Sequence, residues 1–93
     1  MIVLSAKVTI YIPWAASLKD KRQLRRSLMD KTRQKFNVSI AEVDTQDVHQ
    51  TLTLGIAVVS GEHHHAREVL DEIVRFIEGN TDAEVISVEI IEA

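Results

Sequence analysis

Apolar residues recur at every second position in some stretches of this chain and at helical spacing in others, and the order of the two periods leaves few folds open. From Met1 to Ile12 the residues Ile2, Leu4, Ala6, Val8, Ile10 and Ile12 share one face, with Ser5, Lys7, Thr9 and Tyr11 opposite, as in a half-buried strand. Pro13 has no amide hydrogen to continue a ladder, so it opens a loop with Trp14-Ala15-Ala16-Ser17. A helix capped by Ser17 or Asp20 then runs to about Phe36, with Leu24, Leu28, Met29, Thr32 and Phe36 inward, and Asn37 ends it.

Val38 to Asp44 and Gln50 to Ser60 read as two further strands joined in a hairpin through Thr45-Gln46-Asp47. In the second of them Leu52, Leu54, Ile56 and Val58 alternate with Thr51, Thr53, Gly55 and Ala57, and only the first set favours burial. Ser60 is expected to cap a second helix with Ala66, Val69, Leu70, Ile73 and Ile77 inward, stopped by Gly79. Val85 to Glu92 closes the chain as a strand with Ile86, Val88 and Ile90 inward.

The order βαββαβ, with one-sided strands and amphipathic helices, predicts a single α+β domain over residues 1–93. It is a ferredoxin-like sandwich: a four-stranded antiparallel sheet in the order 4-1-3-2 with both helices on one face. Successive loops then alternate between the ends of the sheet. Trp14, the hairpin from Asp44 to His49 and the turn from Gly79 to Asp82 share one end; Asn37 and His63-His64-His65 share the other.

Charge is unevenly spread over this frame. Residues 19–35 hold eight Lys or Arg against two Asp, a net of +6, whereas the rest carries Lys7, Arg67 and Arg75 against twelve acids, a net of −9. One basic element on an otherwise acidic chain bears on partners rather than on fold. At 100° per residue Lys19, Arg22, Arg26 and Arg33 form a stripe opposite Leu24 and Leu28, either an electrostatic footprint for phosphate or an ordinary solvated face. The absence of cysteine excludes disulfides, thiolate metal sites and cysteine nucleophiles. The apolar runs fall far short of the roughly 20 residues that cross a bilayer, and Met1-Ile2-Val3-Leu4 reads as a strand rather than a signal peptide; the expected address is cytoplasmic.

The residues that could support catalysis do not assemble into a mechanism. His49 lies at the opposite end of the sheet from His63, His64 and His65, and three successive helical residues diverge, so no metal is expected. Glu42, Asp44 and Asp47 gather around the hairpin, where they suit turn chemistry and pairing with bases at the start of the first helix. Gly55, Gly61 and Gly79 are isolated, so there is no phosphate-binding loop, and no cofactor or small-molecule substrate is expected. The open sheet face places Ser5, Lys7, Thr9, Thr53, Gly55 and Ala57 where an RRM would stack bases on aromatic rings. With Val3, Val59, Val85 and Ile91, that face instead suits packing against a second subunit. Trp14 is either a lid over the core edge or an exposed anchor.

Four short motifs carry a resemblance over essentially the whole chain: Ser17-Leu18-Lys19-Asp20-Lys21-Arg22, Lys35-Phe36-Asn37-Val38-Ser39, Gln46-Asp47 with Gln50, and Gly55-Ile56-Ala57-Val58-Val59-Ser60. In this order they resemble the YlxP-like family of small bacterial proteins, a domain of unknown function. The resemblance implies a ferredoxin-like fold and no established enzymatic activity. Members are commonly encoded near translation initiation factor two and a ribosome-binding factor, which by association implies a role around ribosome assembly or RNA. Many relatives have Trp and then Arg after the Gln-Asp motif, where this chain has His49 and Thr51. Arg25 stands where an apolar residue is usual, and near the buried edge of the helix it needs an acidic partner, Glu42 or Asp44.

The leading expectation is therefore a non-catalytic module for RNA or a ribonucleoprotein. It would use Lys19, Lys21, Arg22, Arg26 and Arg33 for phosphates, and the loops bearing Trp14, Asp44, Gln46, Asp47, His49 and Gln50 for selectivity. The alternative is a homo-oligomeric protein-interaction module, its sheet face pairing subunits and its basic helix meeting an acidic protein. A small hydrolase of acylphosphatase-like shape ranks third, because the loop after the first strand has no glycine-rich anion cradle with an arginine in it.

Overall fold

The computed structural model describes residues 1–92. Its elements are β1 (Ile2–Tyr11), α1 (Leu18–Lys35), β2 (Ser39–Glu42), β3 (Thr51–Ser60), α2 (His63–Gly79) and β4 (Glu84–Glu92). The sheet runs β2-β3-β1-β4 and every neighbouring pair is antiparallel, the expected order read from the other edge. The fold is ferredoxin-like α+β.

The period-two pattern of β1 decides which side the helices cover. Leu4, Ala6, Val8 and Ile10 are buried, as is Ile12 just beyond the strand, and they meet Leu52, Leu54, Ile56 and Val58 of β3 across the ladder or along the same face. Leu28 from α1 and Ala66, Leu70, Ile73 and Ile77 from α2 close the other side of one continuous core. Each such aliphatic side chain taken wholly out of water contributes about 1.5–3 kcal/mol. Phe36 and Phe76 then meet edge to face with centroids 5.6 Å apart, and the Lys35 ammonium lies 5.0 Å from the Phe76 ring.

Local chemistry sets the helix ends. Ser17 is the cap of α1, its Oγ accepting from the Asp20 amide at 3.3 Å, while Asp20 Oδ2 accepts from the Ala16 amide at 2.9 Å. The cap of α2 is Glu62 rather than Ser60; the Ser60 hydroxyl accepts from the Glu62 amide and shapes the turn before the helix. Gly79 does not stop α2 but lies within it, and Asn80 is the C-cap, its Nδ2 donating to the Phe76 carbonyl at 2.8 Å.

One strand departs from the expected parity. The β1–β4 register shifts between Thr9, opposite Ser87, and Ile10, opposite Val85, leaving Ile86 as an extra residue. This bulge turns Val85 toward the core, against which it packs, so Val85 does not belong to the open sheet face. Ile86, expected inward, is 54% exposed. Val3, Val59 and Ile91 do lie exposed, and Ile91 pairs with Ser5 on the open-face parity.

Candidate nucleic-acid interface

Helix α1 presents its basic residues in two environments. Lys19, Arg22, Arg26 and Arg33 are exposed along the outward face. Among the described residues, the side chains of Lys19, Arg22, Arg26 and Lys31 make no ion pair or hydrogen bond within the chain, so their charges are uncompensated at contact distance. Arg33 donates one hydrogen bond, from Nη2 to the Ile40 carbonyl at 3.0 Å, which lays its guanidinium along the outer edge of β2. Together Arg25, Arg26, Met29, Asp30 and Arg33 line a shallow hollow beside that edge.

Lys21 is the exception, and its expected role as a phosphate ligand is corrected. It is 1% exposed, among the most buried side chains of the protein. Its Nζ donates to the carbonyls of Thr45 and Val48 at 2.6 Å each, lies 3.3 Å from those of Gln46 and Thr51, and pairs with Glu42 Oε2 at 2.8 Å. The carbonyls take the hydrogens of the ammonium, and Glu42 Oε2, which has no hydrogen-bond partner among the described residues, lies beside it as the counter-charge. No phosphate can reach it. The signal was present in the sequence, because Lys21 lies three, seven and eleven residues before Leu24, Leu28 and Thr32, on the buried phase of the helix.

Glu42 is the counter-charge for two cations. Arg25 Nη1 donates to Glu42 Oε1 at 3.0 Å, which supplies the acidic partner that Arg25 needs. Burial pushes the Glu42 carboxyl up, but the close contacts and charges of Lys21 and Arg25 outweigh it and hold the group below its ordinary range. Asp44 instead pairs with Lys7 of β1 at 2.7 Å on the surface, and this contact raises the Lys7 ammonium.

These contacts hold the loop between β2 and β3 in one shape. Asp44 adopts a left-handed backbone, φ 62°, which an Asp tolerates better than most residues. Thr45 Oγ1 accepts from the Thr53 amide at 3.0 Å, and Gln50 Nε2 donates to the Pro13 carbonyl at 3.3 Å, joining this loop to the one bearing Trp14. Asp44, Gln46, Asp47 and His49 are exposed on it, while Gln50 is half-buried. Trp14 is 53% exposed, so it is not a lid over the core edge, which its neighbour Ala15 fills instead. The loops share an end of the sheet with the first turn of α1, which brings Trp14, Gln46, Asp47 and His49 to the same end as Lys19 and Arg22. His63, His64 and His65 lie at the far end, where His64 Nε2 pairs with Glu68 at 2.7 Å.

The family of proteins of unknown function DUF503 matches residues 3–90. The chain belongs to this family. It is also 36% identical over 70 residues to the uncharacterized protein YlxP of Bacillus subtilis (strain 168), covering 75% of this chain and 76% of that protein. The membership of a YlxP-like family that the four motifs suggested is thereby shown. In this DUF503 chain the Ser17–Arg22 motif divides its work: Ser17 and Asp20 cap, Lys21 anchors the hairpin loop from inside, and Lys19 and Arg22 remain free on the surface. Among the described residues of the DUF503 chain no helix is long and apolar enough to cross a membrane.

Proposed function

We propose that the chain is a non-catalytic cytoplasmic module that binds RNA or a ribonucleoprotein around ribosome assembly, through the outward face of α1. The observation that carries this reading is the set of uncompensated cations Lys19, Arg22 and Arg26 on one helix face, continued by Arg33. Free cations at this spacing suit a run of phosphates, which they neutralise with release of counterions. Trp14, half out of the surface at the same end, offers a ring for a base to stack on. The loop held by Lys21 supplies Gln46 and His49 as hydrogen-bonding groups on a fixed backbone, so little ordering entropy is lost on binding. Capture of ribosomal subunits or RNA from a cell lysate on the immobilised protein tests the reading. Capture at low salt that is lost at high salt and in the Arg22→Ala/Arg26→Ala variant is expected; no RNA or subunit at any salt contradicts it.

A second reading, a homo-oligomer formed through the open sheet face with the basic helix left for an acidic protein, rests on the exposure of Val3, Val59 and Ile91 around a trough of small residues. The trough includes Ser5, Ser39, Ala41, Gly55 and Ala57. Light scattering of the parent and of Val59→Lys separates the two: a dimer that this substitution dissociates favours the second.

A further inference from the structure

Among the described residues the acidic half of the molecule carries its own unpartnered surface, the edge of β4. Helix α2 packs over β1 and β3, and α1 over β2 and β3, so β4 lies at the margin of the helix layer, where Val85 and Ile90 still pack against the core. Val88, opposite Val8 and therefore on the helix-side parity, is 43% exposed, and Ile86 at the bulge is 54% exposed. In an antiparallel ladder every second residue of an edge strand directs its N–H and C=O away from the sheet. Past the bulge the register from Ser87 to Glu92 is regular, which leaves a straight template about six residues long.

Charge restricts what can fill it. Residues 61–92 hold nine Asp or Glu against Arg67 and Arg75, and within β4 Glu84 and Glu89 are exposed with no base on the strand. A second β4 laid along this edge would bring like charges together, and eight of the chain's eleven Lys and Arg lie on α1, while Lys7 of β1, opposite Glu89, is already paired with Asp44. We infer that the β4 edge takes an extended segment of a basic protein, Lys or Arg alternating with β-branched residues, as a fifth strand. Its backbone would complete the ladder, its apolar side chains would cover Val88, and its cations would meet Glu84 and Glu89. The site goes beyond the RNA reading, since it uses neither α1 nor the Trp14 loop.

The test uses the full chain and a labelled peptide of alternating Lys and Val, followed by anisotropy. Two further probes are the same peptide N-methylated at alternate amides, which cannot pair, and a peptide of alternating Glu and Val. The Lys-Val peptide is expected to bind, with affinity at least tenfold weaker after N-methylation and in Val88→Lys, and unchanged in Arg22→Ala/Arg26→Ala; the Glu-Val peptide should not bind. The N-methyl comparison needs no variant to fold. Absence of binding, or binding indifferent to N-methylation, overturns the inference. A dimer split by Val88→Lys, without peptide binding, overturns it in favour of a second copy at the edge.

Discussion

An ammonium taken out of water costs several kcal/mol unless its hydrogens and its charge are both answered, and Lys21 is answered on both counts. Glu42 supplies the charge, and the carbonyls of the hairpin loop, those of Thr45 and Val48 closest, take the hydrogens. Lys21→Met should therefore leave these carbonyls facing an apolar side chain and Glu42 without one of its two cations, and lower stability by about 3 kcal/mol. Hydrogen exchange should show protection lost first between Thr45 and Thr51; uniform loss over the whole chain would contradict an anchoring role. Glu42 gives a pH signature. Its carboxyl is held below its ordinary range, so its contribution is complete above the unfolded value of about 4.3 and disappears as pH falls through the folded value. Thermal melts of the parent and Glu42→Gln should differ at neutral pH and converge below about pH 4.3; parallel curves would contradict the shift. Arg25 was legible as a residue in need of an acid, because its phase put it at the buried margin. Lys21 had an even plainer phase, but its charge spoke for the surface, and only the hairpin loop, remote in sequence, supplies the carbonyls that reverse that preference.

At the scale of elements, patterning succeeded where one parity alone was apolar. In β1 the even positions are apolar while Ser5, Lys7 and Thr9 are not, and the burial follows that parity. In β4 the run Val85-Ile86-Ser87-Val88-Glu89-Ile90-Ile91 has apolar residues on both parities, so a one-residue bulge moves Val85 inward and Ile86 outward with no pattern to announce it. Helix α1 depends on its start, since its outward face is charged and its inward stripe includes polar Lys21 and Thr32. Ser17→Ala removes the acceptor for the Asp20 amide and should cost about 1 kcal/mol in a urea titration. A change within experimental scatter would mean that Asp20, through Ala16, holds the end by itself.

Over the whole molecule charge is divided: α1 carries eight of the eleven Lys and Arg, and α2 with β4 carries seven of the fourteen acids. The sheet, the two helices and their order were legible because the hydrophobic periods fix them. The basic stripe was legible too, though Lys21, expected beside it as a phosphate ligand, is buried, while the fixed shape of the hairpin loop arises from contacts between residues distant in sequence. Solvation alone would explain a charged helix face, so the central claim is that the α1 cations engage phosphates. The measurement that bears on it most directly is the affinity for single-stranded RNA by anisotropy across a salt series, for the parent and Arg22→Ala/Arg26→Ala, beside thermal melts of both. If Lys19, Arg22, Arg26 and Arg33 each neutralise one phosphate, log affinity against log salt should slope at about −2.8 for the parent and about −1.4 for the variant, with little change in melting. An equal slope in the two proteins, or no binding by the parent at low salt, would contradict the account.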